Sequence, residues 1–118
     1  MKKISILVLL LSVFVQPAYS VTMGYTTGTE YFKFNEKSRI DWLIGAMDGI
    51  MAESTYINIS KAERGTWLGR CIEGLEFEQI KAIFEKELNT KPEEWHAPAA
   101  LILRGTLARF CIKRGFNP

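Results

Sequence analysis

From Lys37 onward the chain takes up a three-four rhythm: Ile40, Leu43, Ile44, Met47, Ile50 and Met51 recur on one helical face, while Arg39, Asp41, Asp48 and Glu53 fall mostly elsewhere. This spacing predicts the best-defined helix of the protein. Gly45 and Gly49, four positions apart on it, cost helix propensity but leave a smooth surface where another helix could approach, and we expect them to mark tight packing inside the core in preference to a partner site. Trp42, beside the stripe, fits either the core or a dimer surface. A second periodic stretch places Phe77, Ile80, Ile83, Phe84 and Leu88 on one side, with Glu78, Lys81, Glu85 and Lys86 toward solvent, until Asn89-Thr90-Lys91-Pro92 stops it. A third follows Ala97-Pro98, where proline suits a first helical turn, and carries Ala100, Leu103, Leu107, Phe110 and Cys111 as its stripe. Arg109, Lys113 and Arg114 complement the dipole at its end, and Gly115 stops it.

The remaining stretches are less regular. Val21 to Gly28 is rich in Gly and Thr without a period and reads as a mobile tail. Thr29 can cap a short helix holding Tyr31, Phe32 and Phe34, although so dense a run of aromatics fits a strand as well. Ser54 to Arg70 reads as a long loop: Tyr56-Ile57-Asn58-Ile59 has β-type residues, Ser60 can cap a turn, and Gly65 and Gly69 bracket Trp67. Asn58-Ile59-Ser60 matches a glycosylation sequon, a three-residue pattern that arises readily by chance. The pattern as a whole predicts one all-α domain, a small bundle of about four helices.

The first twenty residues stand apart from this. Lys2 and Lys3 precede an apolar run from Ile4 to Val15, followed by Gln16-Pro17-Ala18-Tyr19-Ser20. That is the pattern of a secretory signal peptide cut after Ser20, and the run is shorter than the roughly 20 residues a membrane-spanning helix needs. The mature domain then runs from Val21 to Pro118 without a stable membrane anchor. Removing Lys2 and Lys3 takes the basic residues from 15 to 13, against 13 acidic ones. A neutral, mixed-sign surface offers no electrostatic case for nucleic acid or anionic lipid.

Export changes the reading of the two cysteines, Cys71 and Cys111. In an oxidising compartment a disulfide is the default for such a pair, and an intramolecular bond has only one possible connectivity. Closing that loop stabilises by roughly 4 kcal/mol in the chain-entropy model, a large share of the ~5–10 kcal/mol a domain of this size has.

Chemistry is sparse. The single histidine, His96, is the only ordinary base for a nucleophile, and no serine sits in a Gly-x-Ser-x-Gly turn. A zinc site wants three or four Cys or His ligands and the chain has three such residues, two of them expected in the disulfide. Paired acids such as Glu76 with Glu78, or Glu85 with Glu87, diverge on a helix and read as surface charges. No phosphate loop or dinucleotide fingerprint occurs. The expectation is a protein without cofactor, metal or enzymatic activity, whose work is binding. Trp67 and Trp95 lie in irregular segments, where a large amphipathic ring is either tucked under the chain or offered to a partner.

The segment from Cys71-Ile72-Glu73-Gly74-Leu75 through Lys91-Pro92-Glu93-Glu94-Trp95-His96-Ala97-Pro98-Ala99-Ala100-Leu101 to Phe110-Cys111 resembles the immunity proteins of the type VI secretion amidase system, the Tai and Rap immunity family. Upstream, Trp42-Leu43-Ile44-Gly45-Ala46-Met47-Asp48-Gly49-Ile50 looks like that family's small-residue second helix, and Thr27-Gly28 like the element before it. Two departures stand out: Glu76 occupies a place where many members carry Ser or Thr, and a further upstream cysteine is absent.

The resemblance implies an all-α periplasmic protein, often a homodimer, that protects its producer by binding a co-encoded effector. The implied partner is a papain-like peptidoglycan amidase, blocked sterically by a protruding segment. Of the segments able to project, Lys91 to His96 is our first choice, because Pro92 and Pro98 stiffen it and Trp95 and His96 give it an anchor; Lys91, Glu93 and Glu94 supply its charge. Tyr56 to Trp67 is the second. The alternative is a small periplasmic acid-stress chaperone, which would gain strong positive charge as its carboxylates protonate.

Overall fold

The computed structural model describes residues 24–57 and 66–117, the side chains of 53–57 and 66 excepted. Among these residues the chain forms five α-helices: α1 (Gly28–Lys33), α2 (Glu36–Ile57), α3 (Thr66–Ile72), α4 (Phe77–Thr90) and α5 (Ala99–Lys113). A 3-10 turn at Pro92–Glu94 joins the last two. The fold is the expected all-α bundle, closed by a disulfide between Cys71 and Cys111 with Cα atoms 5.8 Å apart. The signal-peptide reading, the sequon at Asn58 and the side chain of Tyr56 lie outside the described residues.

Local signals explain where the helices begin and end. Thr27, not Thr29, caps α1: its Oγ1 accepts from the Glu30 N–H at 3.2 Å, and Glu30 Oε2 accepts from the Thr27 N–H at 2.9 Å. This is a reciprocal capping box, and it satisfies donors a helix start leaves open. Asn35 begins α2, its Oδ1 accepting from the Ser38 N–H at 2.9 Å. Gly115, at φ 89°, ends α5 in a Schellman motif: the Phe116 N–H reaches the Cys111 carbonyl at 3.1 Å and the Gly115 N–H that of Ile112 at 3.0 Å. The left-handed conformation is what requires glycine there.

α4 and α5 run antiparallel, since Glu87 of α4 meets Arg109 of α5 while Thr90 lies opposite Thr106 along their shared groove. α2 crosses this pair, and Leu43, Phe84, Leu88, Leu103 and Leu107 are fully buried between them with Tyr31 of α1. Trp42 belongs to this core rather than to a dimer surface: its ring stacks on Phe84 at 5.9 Å and meets Tyr31 edge-on at 5.2 Å. The buried face of α2 is thus rotated toward Trp42 and Ala46, which leaves Ile44 39% exposed.

Three expectations are corrected here. Gly45 and Gly49 do not mark tight packing; both are exposed, and a Cβ added at either would meet nothing within 4 Å. The supposed loop from Ser54 to Arg70 is helical at both ends, α2 extending through Ile57 and α3 starting at Thr66. On α5 the buried stripe is Ala99, Ile102, Leu103, Thr106, Leu107 and Cys111, with Ala100 exposed. Thr106 is tolerated in the core because its hydroxyl donates to the Ile102 carbonyl at 2.7 Å.

Candidate binding surface

The segment Lys91–His96 connects two antiparallel helices, and the backbone of Lys91, Pro92, Glu94 and Trp95 is committed to hydrogen bonds. Lys91 caps α4, its N–H donating to Leu88 O at 3.2 Å; Glu94 N–H then reaches Lys91 O at 3.0 Å, Trp95 N–H reaches Pro92 O at 3.2 Å, and Ala97 N–H reaches Glu94 O at 2.9 Å. Pro92 opens the 3-10 turn, where a missing N–H costs nothing. The result is a short, rigid corner at one end of the bundle.

Trp95 holds the corner from inside. Its Nε1–H donates to the Leu88 carbonyl at 2.7 Å, which thus accepts from both the indole and the Lys91 N–H at the end of α4, and its ring lies 4.9 Å from that of Phe32. Its own carbonyl accepts from the Thr29 N–H at 3.1 Å. Thus the indole expected as an anchor for a partner is half-buried and engaged within the molecule. His96 and Glu93 are the outward side chains, both exposed. Lys91 and Glu94 flank them, Lys91 Nζ lying 2.9 Å from Glu87 and 3.6 Å from Glu94. The Lys91 ammonium, followed by the Arg109 guanidinium, holds the Glu87 carboxyl below the usual carboxylate range.

The segment expected to be a mobile tail is, from Thr26 on, part of this construction. Thr26 O accepts from Ala99 N–H at 2.8 Å, and Thr27 pairs with Pro98 in an antiparallel bridge. The first N–H of α5 is thereby satisfied by protein rather than by a side-chain cap. Gly28 lies against the corner so closely that an added Cβ would sit 3.0 Å from Trp95 Cα and 3.2 Å from Leu88 Cδ2. Since the first of these is backbone, a methyl cannot be accommodated by a side-chain rotation. Gly28→Ala is expected to destabilise the fold by about 1–3 kcal/mol, read by urea denaturation, and to speed amide exchange at Thr29.

α1 is fixed from its other side by charge. Arg39 donates to the Phe32 and Phe34 carbonyls at 3.0 and 3.1 Å and pairs with Glu85 at 3.0 Å. Glu85 also accepts from Tyr31 Oη at 3.0 Å and lies 3.4 Å from Lys81, which in turn pairs with Glu36 at 2.8 Å. Burial, reinforced by the Glu85 charge, pushes the Tyr31 phenol far above its usual pKa, so it stays a donor. Lys81 and Glu85 were expected to face solvent; their side chains are only 15% and 19% exposed. The Thr27-x-x-Glu30 spacing was the available sequence signal for this docking, since a capping box ahead of an aromatic run marks a helix start.

Of the second candidate segment, Tyr56 to Trp67, residues 58–65 lie outside the described residues. Trp67 is half-buried in α3, packed against the core near the disulfide, and the Tyr56 backbone lies in α2. The disulfide and the Lys91–His96 corner occupy opposite ends of α5, roughly 20 Å apart at 1.5 Å per residue. Among the described residues no group of three His, Cys, Asp or Glu is placed to hold a metal, and no helix is long and apolar enough to cross a membrane. No protein-family model, curated protein or solved structure matches the chain.

Proposed function

We propose that the protein is a periplasmic immunity protein that binds a type VI secreted, papain-like peptidoglycan amidase and occludes its groove, without catalysis or cofactor of its own. The order of motifs from Cys71 to Cys111 and the leader-like first twenty residues suggest the class. The observation that carries the mechanism is the Lys91–His96 corner: rigid backbone, with exposed Glu93 and His96 at its crest. A segment ordered before contact loses little entropy on entering a groove, which favours tight steric inhibition. In this reading Trp95 positions the crest and does not touch the partner. Association as a homodimer fits the same class of protein.

The test is to titrate the oxidised protein into the amidase encoded beside it while following cleavage of peptidoglycan fragments. Stoichiometric loss of activity at nanomolar protein is the expected result. Glu93→Lys with His96→Ala should weaken inhibition at least about tenfold, on the scale of one or two interface residues, with helicity unchanged. Undiminished inhibition by that variant would remove the corner from the mechanism. No inhibition by the parent protein, coupled with acid-induced dye binding and suppression of aggregation near pH 2–3, would instead indicate an acid-stress chaperone.

A further inference from the structure

The Cys71–Cys111 bond is shut away from solvent. Cys71 is 2% exposed and Cys111 fully buried, whereas disulfide exchange needs an incoming thiolate to reach one of the two sulfurs. The bond can therefore be reduced only after something packed around it moves. Two elements are fastened to its ends: α3, which carries Cys71, and the segment Arg114–Phe116, which follows α5.

That segment grips both half-cystines. The Cys111 carbonyl accepts from the Arg114 N–H at 3.0 Å and from the Phe116 N–H at 3.1 Å, while the Cys71 carbonyl accepts from Arg114 Nη1 at 3.3 Å. Gly115, left-handed at φ 89°, turns the chain back on the helix. In such a Schellman ending the residue after the glycine packs on the residue that accepts its N–H, or on the one before that. Here those two are Cys111 and Phe110. Phe116 is accordingly half-buried against the core to which both cysteines belong. The Arg114 guanidinium lies against the rings of Phe110 and Phe116, its Cζ 5.3 and 6.0 Å from their centroids. One side chain thus ties α3, α5 and the returning segment together.

We infer that Arg114–Phe116 is a strap that gates reduction of the disulfide: a thiol reaches the sulfurs when this segment lifts, with the rest of the bundle still folded. What each opening gives up points to the strap. Freeing α3 uncovers Leu68 as well as Cys71, whereas lifting the strap withdraws one aromatic ring, one guanidinium and the hydrogen bonds of a helix end. The second is the smaller, local opening. With a dithiol as reductant, its first thiolate bonds to one cysteine sulfur as the Cys71–Cys111 bond breaks, and the other cysteine leaves as a thiolate. The second thiolate of the reductant then displaces the remaining cysteine and closes its own disulfide. Two electrons pass from the dithiol to the cysteines, and each displaced thiolate takes a proton from water. The inference stands apart from the amidase reading.

The test follows reduction of the folded, oxidised protein by dithiothreitol at fixed pH, with alkylation and mass measurement at intervals, over a series of low urea concentrations. In the parent the logarithm of the rate should be nearly flat in urea, because a local opening exposes little surface; reduction through global unfolding would instead follow the slope of equilibrium unfolding. Phe116→Ala and Arg114→Ala should each speed reduction about tenfold without steepening that slope. Phe116→Leu, which keeps an apolar cover, should stay within about threefold of the parent. Leu68→Ala loosens α3 and leaves the strap alone, so the rate at low urea should not change. A parent rate with the global slope, or a rate that rises in Leu68→Ala and not in Phe116→Ala, would overturn the inference.

Discussion

Opening the Cys71–Cys111 bond, by reduction or by Cys71→Ala with Cys111→Ala, is expected to cost about 4 kcal/mol of stability. The loop it closes spans 40 positions, and the chain-entropy model gives that order of loss for such a loop. The structure adds where the loss is felt. α3 has seven residues, too few to persist as a helix without tertiary support. Its buried residues are Leu68 and Cys71. The bond, with the Arg114 guanidinium donating to the Cys71 carbonyl at 3.3 Å, fastens it to the end of α5. Urea unfolding of oxidised and reduced protein measures the total. Amide exchange locates it: protection in α3 should collapse first, while the interior of α4 and α5 stays protected. A difference under about 1 kcal/mol would mean that side-chain packing alone holds α3 in place.

That bond was legible in two cysteines and a leader-like pattern ahead of them, because connectivity with one pair involves no choice. Most of the α4 stripe was legible: Ile80, Phe84 and Leu88 are buried as their spacing required, whereas Phe77, placed on the same stripe, is exposed. What the spacing did not reveal was how the two sides of a helix are used in a small bundle. α2 and α5 are apolar on more than one side, so periodicity fitted several faces and selected Ile44 and Ala100 over Trp42 and Ile102. Packing decided the matter, through the stack of Trp42 on Phe84. Gly45 and Gly49 carried the opposite error, since small residues four apart suit a close helix contact and an empty surface equally. Trp95 was legible as an amphipathic ring in a connector, but its direction depended on the Leu88 carbonyl and on Gly28, sixty or more positions away in sequence for the latter. The solvent assignment of Glu85 failed likewise, because its partners Tyr31 and Arg39 come from two other helices.

Those partners make Glu85 the residue through which the corner depends on distant charge. Glu85→Ala is expected to destabilise by about 2 kcal/mol, below the 3–5 kcal/mol of a fully buried pair because both side chains keep some contact with water. Arg39 retains the Phe32 and Phe34 carbonyls, so α1 would loosen rather than leave. The Tyr31 hydroxyl, in contrast, loses its acceptor within the core edge, and Tyr31 is the large, fully buried side chain of α1. Loosening then passes to Thr29 and Gly28, and from them to the Trp95 carbonyl that Thr29 holds. Glu85→Gln separates the two contributions: it preserves an acceptor for Tyr31 while removing the charge that Arg39 and Lys81 share, and should cost less than alanine. Exchange at the Thr29 amide should rise more in Glu85→Ala than in Glu85→Gln, with the interior of α5 unchanged in both. If alanine destabilises globally but leaves Thr29 as protected as the rest of the core, α1 and the corner unfold with the bundle and Glu85 exerts no separate hold on them.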